Sequence, residues 1–550
     1  MADLSAGSLF PALTPTQLQR LRPMGRERDA AAGDVLVRIG DRVDHMYVVL
    51  TGRVEAVSMR VAAERSIATL GPGQFTGEVS MLAGRPGVAR IFVTEAGRVL
   101  EIDRGRLLAL LQSDSELSEI LMRAFILRRA EIIAQGLGDA VIVGSSHSPD
   151  TLRIREFLTR NGHPHSYLDL DREAGVQDLL DHLHVGPGAV PVVICRGTIV
   201  LRNPTNQSLA ECLGFNEAMD QASVHDVVVA GGGPAGLAAA VYAASEGLDT
   251  LVLETYAPGG QAGSSSLIEN YLGFPMGISG QELAASASTQ AQKFGAQLAV
   301  ARTAARLRCG DKPYAVGLDG GTEVRARAIV IATGAEYRKP AIERLSDFEG
   351  GGVYYAATPV EAQLCRGEEV IVIGGGNSAG QAAVFLSTHV KKVHMLVRSG
   401  GLAETMSRYL VRRIEETPAI ELHAHTEVVA LAGDGRLESV RWRNSATGAE
   451  EQRQIGHVFV MAGAAPNTRW LDGCLVLDKD GFIKTGPDLS HDDLLSARWP
   501  LARAPLLLEA SRPGVFAVGD VRAGSIKRVA SAVGEGSIAI AFVHQVLRES

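Results

Sequence analysis

Two separate segments of the chain each run from a strand through a glycine-rich loop into a helix, and this pattern constrains the fold most. In the first, the apolar run 226–230 leads into Gly231-x-Gly233-x-x-Gly236 and an alanine-rich helix. The first glycine permits a tight turn, the second lets the backbone approach a pyrophosphate, and the third permits close helix–strand packing. The helix N-terminus offers free N–H groups and a positive dipole end. The spacing therefore predicts a dinucleotide-binding unit.

An acidic residue follows this loop at the distance expected for a ribose ligand. Glu254 ends the next apolar run, eighteen residues after Gly236. A carboxylate there can accept hydrogen bonds from ribose hydroxyls. Pro234 and Ala235 complete the loop that we expect to face the cofactor.

The second segment has the same order of strand, loop and helix. An apolar run from residue 370 leads into Gly374-x-Gly376-x-x-Ala379, with Asn377 and Ser378 inside the loop. Two such units in about 330 residues indicate two nucleotide-binding domains of Rossmann type.

The strand after the second loop ends in Arg398 rather than an acid. A cation there suits a 2′-phosphate, which favours NADPH over NADH, although NADH remains possible. An ordinary surface arginine is the alternative. Three further arginines lie nearby on a predicted helix: Arg408, Arg412 and Arg413.

The 550 residues predict three or four domains. Residues 35–103 alternate in period two between turn residues, and helical spacing follows from residue 104. Residues 139–215 then show a strand, a helix, a strand, a hairpin and a short helix, which is a small α/β layer. The net charge is 54 − 62 = −8 without a dense basic run, so nucleic acid is not an expected partner.

Five cysteines are widely spaced: Cys195, Cys212, Cys309, Cys365 and Cys474. This excludes a zinc ribbon and a Cys-x-x-Cys motif, and no metal site is predicted. Residues 1–30 lack a signal-peptide pattern, and no run of about 18 apolar residues predicts a membrane span. We therefore expect a cytoplasmic protein with reduced thiols.

Four further motifs occur in order: GGQ at 259–261, IENYLGFP at 268–275, IATGA at 331–335 and GVFAVGD at 514–520. Together with the first loop, they make residues 224–550 resemble the low-molecular-weight thioredoxin reductases. The resemblance implies FAD and NADPH as cofactors, a homodimer, and MAGAAPNT at 461–468 as the segment that closes the NADPH domain. It also implies that these residues contact the flavin cofactor: Gly260, Gln261, Asn270, Thr333, Gly334, Gly519, Asp520, Arg528, Val529 and Ala530.

The family's Cys-Ala-Thr-Cys dithiol is missing. Its two cysteines fall on Ala356 and Pro359, so neither position can form a thiolate. Cys365 is the nearest thiol, in a segment that we expect to be a loop. It is either a displaced catalytic thiol or a small buried apolar residue.

Residues 139–216 resemble a thioredoxin or glutaredoxin domain, on VIVGSSHSPDTLRIREFL and on Val190–Pro191, which resembles that fold's cis-proline step. The Cys-Pro-x-Cys positions hold the Ser-Pro-Asp-Thr stretch at 148–151. This segment therefore has no dithiol either, and a docking or structural role is expected.

The N-terminal segment GPGQFTGEVSMLAGRPGVARIFV resembles the phosphate-binding cassette of cyclic-nucleotide-binding domains. The resemblance implies a β-roll, with Gly77 and Glu78 as possible effector-binding residues. The cassette arginine is replaced by Gly87, flanked by Arg85 and Arg90. Loss of that charge-assisted pair costs about 1.5–3 kcal/mol, so cyclic nucleotide binding of the usual kind is not expected.

The predicted fold class is thus a β-roll, a thioredoxin-like α/β layer and two Rossmann-like domains. The predicted bounds are 1–136, 139–216, 224–345 with 461–550 for FAD, and 346–460 for NAD(P)H. The expected function is hydride transfer from NADPH to FAD, with an unidentified acceptor: a quinone, oxygen, an iron–sulfur partner or a partner's disulfide. Two alternatives stay open, a thioredoxin–disulfide reductase that uses Cys365 or partner thiols, and a sensor whose N-terminal modules bind partners.

Overall fold

The computed structural model describes residues 9–60, 63–172, 176, 180, 186, 189–196, 199–217, 219–220, 222–265, 267–310, 312–471 and 473–549. Their strands are β1 Arg26–Ala30, β2 Val35–Val37, β3 His45–Arg60, β4 Ala63–Leu70, β5 Arg90–Asp103, β6 Ala140–Gly144, β7 His165–Asp169, β8 Val192–Cys195, β9 Ile199–Arg202, β10 Val224–Ala230, β11 Thr250–Glu254, β12 Gln297–Val300, β13 Ala304–Arg308, β14 Tyr314–Leu318, β15 Glu323–Ile331, β16 Ala335–Tyr337, β17 Val353–Tyr354, β18 Glu369–Ile373, β19 Lys392–Leu396, β20 Ile420–His423, β21 Thr426–Ala432, β22 Ser439–Asn444, β23 Glu450–Arg453, β24 Val458–Val460, β25 Ala464–Pro466 and β26 Val515–Ala517.

The α-helices are α1 Pro15–Leu21, α2 Arg104–Ser113, α3 Ser115–Ala134, α4 Pro149–Arg160, α5 Asn206–Cys212, α6 Pro234–Ser245, α7 Gly280–Lys293, α8 Pro359–Leu364, α9 Asn377–Ser387, α10 Arg408–Glu415, α11 His491–Ser496 and α12 Val529–Glu549. Short 3₁₀ turns occur at Arg22–Met24, Val79–Met81, Ala262–Ser264, Leu345–Phe348, Arg469–Leu471, Gly486–Asp488 and Gly519–Val521.

The N-terminal unit is an antiparallel sheet followed by helices. Its strand order is β1-β5-β3-β4, and β2 pairs with β5. The helices α2 and α3 begin at the carboxylates of Asp103 and Asp114, which accept hydrogen bonds from backbone N–H groups in the first turn. Phe75 and Phe125 are fully buried and meet edge to face in the core between sheet and helices.

The second unit is a four-stranded sheet of order β7-β6-β8-β9. β6 and β7 are parallel, and β8 is antiparallel to both β6 and β9. The helices α4 and α5 contribute Phe157 and Leu209 to the core that covers the sheet. The Val190–Pro191 bond is cis, as predicted. Much of 173–188, and the predicted hairpin turn at 197–198, lie outside the described residues.

The first glycine loop belongs to a sheet of order β12-β11-β10-β15-β14-β13, with β26 paired to β15. The strands β12, β11, β10, β15 and β26 run parallel. The second loop belongs to a parallel sheet of order β17-β24-β18-β19-β20. A pair, β16 and β25, and a three-stranded sheet, β21-β22-β23, complete this half. Parallel strands place both loops at the carboxyl edges of their sheets.

Helix α12 corrects the expectation that no helix is apolar enough to span a membrane. It has 21 residues and a mean hydropathy of 1.3, which suffice by length and composition. Its charged residues had concealed this in the sequence. The helix packs along α6, and its residues Ala539, Ile540 and Val543 are fully buried in the core of the first dinucleotide unit. Its apolar composition therefore serves that core.

The cysteines also depart from the expectation that all thiols are reduced. Cys309 and Cys474 form a disulfide, with their Cα atoms 6.0 Å apart. Their 165-residue separation left no local pattern in the sequence. Cys195, Cys212 and Cys365 are free.

Candidate functional site

The three glycines of the first loop, between β10 and α6, have different surroundings. Gly231 has φ +108°, and an added Cβ would clash with the carbonyl oxygen of Ala332. A Cβ on Gly236 would clash with the carbonyl oxygen of Gly231. Gly233 has only the Cα of Gly260 nearby, at 4.0 Å. Two of these glycines are therefore required by the fold, while the third leaves its backbone open.

The N-terminus of α6 has the features of an anion site. Gly233 is its N-cap and provides no side-chain cap, so the first N–H groups remain free for a ligand. Pro234 is the first helical residue, and the buried Ala235 packs beneath Gly519. The open glycine and the uncapped helix end together fit the pyrophosphate of a dinucleotide such as FAD.

Glu254 is buried beside this loop and stabilises it. Its Oε2 accepts a hydrogen bond from the N–H of Gly232 at 2.7 Å. Its Oε1 accepts from Tyr256 and Ala257 at 2.8 and 3.1 Å. Burial raises the pKa of this carboxyl. Because each carboxylate oxygen has two acceptor positions, Oε2 retains one for a ribose hydroxyl.

The residues expected along the flavin occupy the edge above the loop. Gly260 has φ +53° and faces Gly233. The exposed Gln261 donates a hydrogen bond from Nε2 to the carbonyl oxygen of Ala335. Asn270 is exposed on loop 268–275, and no hydrogen bond ties it to the described part of the chain. The structure therefore brings Gly260 and Gln261 to the loop but leaves Asn270 outside it.

Thr333 and Gly334 lie where the chain crosses between the two halves. Thr333 Oγ1 donates to the carbonyl oxygen of Asn467 at 2.9 Å, and Asn467 Nδ2 donates back to the carbonyl oxygen of Thr333 at 2.9 Å. The Asn467 N–H also donates to the carbonyl oxygen of Gly334. These reciprocal bonds hold the two crossing segments together, a role that the sequence did not reveal for Asn467.

Gly519 and Asp520 follow β26 and meet the start of α12. Glu535 organises this turn, since it accepts hydrogen bonds from the Gly519 N–H and from Arg522, both at 2.6 Å. Burial raises the pKa of Asp520. Sequence reasoning identified the Gly-Asp pair but missed Glu535. The remaining predicted residues lie just before or within the first turn of α12: Arg528, Val529 and Ala530.

The second loop repeats the geometry of the first. Gly374 has φ +138°, and an added Cβ would clash with the carbonyl oxygen of Met461. Gly376 is the uncapped N-cap of α9 and has no atom within 4 Å of an added Cβ. Asn377 accepts the Ser407 N–H at 2.7 Å. Ala379 is buried and Ser378 is exposed. This loop therefore also fits a pyrophosphate.

Arg398 lies two residues beyond β19, and its side chain is exposed. Neither Arg398 nor Arg408 forms an ion pair within the described ranges. Arg412 pairs with Glu416 on its own helix. Arg413 pairs with Glu269 of the first half at 2.6 Å. Among these four cations, Arg398 is the one at the end of the strand where a 2′-phosphate is expected.

Tyr337, at the end of β16, lies between the two loops and was missed by sequence reasoning. It hydrogen bonds with Ser378 of the second loop, and the charge of Asp520 acts on it from the first half. Burial raises its pKa. The two predicted cofactor sites therefore converge on one buried phenol, and the only sequence signal was an aromatic residue just beyond motif 331–335.

The positions of the missing dithiol carry no thiol, and Cys365 does not replace it. Ala356 is half-buried, and Pro359 begins α8. Cys365 is not in a loop: it ends α8, is fully buried, and donates its S–H to the carbonyl oxygen of Glu361. Burial raises the pKa of this thiol to about 12. Its surroundings favour the role of a small apolar residue.

Helix α4 of the second unit lies beside this segment. Ser148 is its N-cap, and Pro149 lies against Gly350, where an added Cβ would be 2.8 Å from the proline Cβ. Burial raises the pKa of Glu361 in α8, and the nearby charge of Glu156 in α4 raises it further. The Ser-Pro-Asp-Thr stretch therefore lies next to the segment that lacks its dithiol.

In the N-terminal unit, the position of the lost cassette arginine is filled by apolar side chains. A Cβ on Gly87 would be 2.9 Å from Val43 Cγ2 and 3.3 Å from Val37 Cγ1. Gly77 has φ +104° and packs on the ring of Phe125. An arginine in place of Gly87 would therefore need both valines to move.

Glu78 and the flanking arginines face the second unit. Glu78 accepts the Ser80 N–H at 3.0 Å and lies 3.6 Å from Arg129. Arg85 stacks on the ring of Phe215, and burial, followed by the charge of Arg129, lowers its pKa to about 10. Arg90 instead stacks on Phe92 of its own strand. Two of the predicted effector-site residues thus contribute to contacts between units.

Two family models match the chain. Residues 225–536 match the model described as pyridine nucleotide-disulphide oxidoreductase, and residues 27–114 match the model described as cyclic nucleotide-binding domain.

Curated relatives cover the larger match. The thioredoxin reductase of Bacillus subtilis (strain 168) is 30% identical over 331 residues, which span 60% of this chain and 97% of the relative. That of Treponema pallidum (strain Nichols) is 33% identical over 316 residues, which span 57% and 94%.

Solved structures give the same picture. Lactococcus lactis thioredoxin reductase in its FR conformation has a TM-score of 0.53 at 28% identity, covering 59% of this chain and 100% of that one. The T. acidophilum thioredoxin reductase has a TM-score of 0.52 at 29% identity, covering 58% and 98%.

Proposed function

The chain belongs to the pyridine nucleotide-disulphide oxidoreductase family, and from this premise we propose that it oxidises NADPH without using a dithiol of its own. It is an FAD-dependent oxidoreductase that resembles thioredoxin reductase. FAD, when bound, supplies the hydride acceptor, and the protein's task is to orient it and the nicotinamide. The observation that carries the proposal is the pair Ala356 and Pro359 where the relay cysteines would be.

The chain's own residues support a bare flavin site between two loops. Gly233 and Gly376 leave open backbone at two uncapped helix ends, so each can receive a pyrophosphate. Tyr337 contacts the second loop and lies within the field of Asp520 in the first. Its burial excludes water from the place where the sites converge. In this proposal, the acceptor meets the flavin directly.

We assign the cofactor contacts residue by residue. The FAD set is Gly231, Gly233, Pro234, Ala235, Gly236, Glu254, Gly260, Gln261, Asn270, Thr333, Gly334, Gly519, Asp520, Arg528, Val529 and Ala530. The NADPH set is Gly374, Gly376, Asn377, Ser378, Ala379 and Arg398. Its basic member supports NADPH, because an exposed guanidinium suits a 2′-phosphate.

The upstream units are proposed as docking modules. The strand order β7-β6-β8-β9 with flanking helices supports a thioredoxin-like unit, and its contact at Gly350 supports docking against the NAD(P)H-binding half. The valines opposite Gly87 support a β-roll that does not bind cyclic AMP through a cassette arginine. The domain bounds given above and a homodimer belong to this proposal; light scattering would measure the mass in solution.

The test is an anaerobic titration of the FAD-loaded full-length protein with NADPH, followed by an acceptor panel. We expect the flavin absorbance to disappear, and a quinone or oxygen to restore it at the same rate in wild type and in Cys365→Ala. Oxidised thioredoxin should not restore it. Disulfide-dependent turnover that Cys365→Ala abolishes would instead establish the thioredoxin reductase alternative. A protein that NADPH fails to reduce would refute the proposal.

A further inference from the structure

Three potential metal-ligating side chains meet on the sheet that follows the second loop. His394 lies in β19, and Glu421 and His423 lie in β20; one donor atom from each lies within 4.8 Å of the others. β19 and β20 are parallel, with His394 opposite Glu421 and Leu396 opposite His423. Since alternate residues of a strand share a face, all three side chains lie on one side of the sheet. The 27 and 29 residues between them hid this cluster in the sequence, which predicted no metal site.

The separations suit ligands of one ion. His394 Nδ1 is 3.1 Å from His423 Nε2 and 3.9 Å from a carboxylate oxygen of Glu421. His423 Nε2 is 3.6 Å from the other carboxylate oxygen. Tetrahedral zinc with bonds of about 2.0–2.1 Å places its ligand atoms about 3.4 Å apart. The three donors therefore need only small movements to share an ion.

A second carboxylate orients the buried histidine. His394 is 1% exposed, and its Nε2 lies 3.3 Å from Glu369 in β18. If Nε2 carries the proton and donates it to Glu369, the lone pair of Nδ1 points toward His423 and Glu421. A metal-ligating histidine usually donates its other N–H in this way. Such an outer carboxylate distinguishes the cluster from a chance meeting of polar side chains.

The protonation states also suit a ligand set. Burial lowers the pKa of His423, which keeps its ring neutral near pH 7. The hydrogen bond from Lys392 lowers the pKa of Glu421, which keeps this carboxyl ionised. Lys392 is the one cation in direct contact with the described cluster, and its partly exposed side chain can turn toward solvent. It is therefore the group that an ion must displace.

We propose that His394, Glu421 and His423 bind a divalent transition-metal ion of the zinc class, with a fourth position for water. Imidazole and carboxylate ligands select this class over magnesium or calcium. The ion joins β19 to β20 just before Arg398, so it stabilises the strand that ends at the proposed 2′-phosphate site. The site lies outside both cofactor loops and requires no part of the proposed hydride transfer.

Trp442 provides a reporter for this site. Its ring centroid lies 5.6 Å from both histidine rings, as β22 packs over the same face. A paramagnetic copper ion bound there should quench the emission of this indole. The quench should disappear in Trp442→Phe, which retains all three ligands.

The decisive experiment is calorimetric titration of the FAD-loaded full-length protein with zinc chloride. We expect one tight equivalent that Glu421→Gln and His423→Gln each weaken tenfold or more, as loss of an ordered ligand does. Lys392→Met should tighten binding by roughly threefold, since it removes a competing cation. His491→Gln, at the exposed start of α11, is the matched control and should retain full binding.

Two results would overturn the proposal: no stoichiometric zinc in wild type, or zinc binding that survives both ligand substitutions. NADPH reduction of the flavin is measured in parallel. Since the ligand variants leave both cofactor loops intact, flavin reduction should persist in them. A failure of zinc binding with normal flavin reduction would therefore refute the metal site alone.

Discussion

Gly376→Ala separates cofactor binding from folding more cleanly than any other substitution in the second loop. Gly376 has φ −89° and ψ 176°, which alanine adopts without strain, and no atom lies within 4 Å of an added Cβ. Alanine lowers the entropy of the unfolded chain, which stabilises by about 0.4–1 kcal/mol. It is a poorer N-cap than glycine and loses a few tenths of that. The free energy of unfolding should therefore change by less than about 1 kcal/mol.

Binding of NADPH should nevertheless weaken strongly. The methyl group would occupy the open space above the uncapped end of α9, where the pyrophosphate has to approach the backbone. Loss of one or two charge-assisted hydrogen bonds of about 1.5–3 kcal/mol each corresponds to a rise in KM of tenfold or more. The assay is steady-state NADPH oxidation beside thermal unfolding, with Gly310→Ala as a control, because that glycine also has open surroundings but lies outside both loops. An unchanged KM in Gly376→Ala would refute the assignment of this loop.

Other substitutions test the remaining assignments. Arg398→Ala should raise the KM for NADPH about tenfold and leave that for NADH unchanged, as loss of one charge-assisted phosphate contact predicts; equal effects on both would make it an ordinary surface arginine. Cys365→Ala should leave flavin reoxidation unchanged, because the thiol is buried and its pKa is raised to about 12; stopped-flow absorbance would detect a slower rate if the thiol carried electrons. Arg503→Ala should destabilise the protein by about 3–5 kcal/mol in a denaturant titration, because it leaves the fully buried Glu509 without its cation; a change below about 1 kcal/mol would contradict this.

Local patterns predicted the fold well where one segment contains the whole signal. The strand, loop and helix around Gly231 and Gly374 are contiguous, so the glycine spacing and the apolar runs identified both units. The order of elements between residues 140 and 212 was also predictable, because each strand and helix has its own period. Substitution of the dithiol by Ala356 and Pro359 was evident from the sequence for the same reason.

Features made by distant segments were not predictable. The Cys309–Cys474 disulfide, the bonds between Thr333 and Asn467, and the contact of Pro149 with Gly350 join residues that the chain brings together only on folding. The burial of Cys365 at the end of α8 likewise depends on the packing around it, and the sequence alone left its role open.

The amino-acid sequence by itself determined that the chain would form two dinucleotide-binding units without a dithiol relay, because glycine geometry and cysteine absence are local properties. Only the tertiary structure decided that Tyr337 would lie between the two loops and that His394, Glu421 and His423 would share one face. Both arrangements depend on how strands are ordered across sheets, and hydrogen bonding between strands sets that order over distances that no local pattern records.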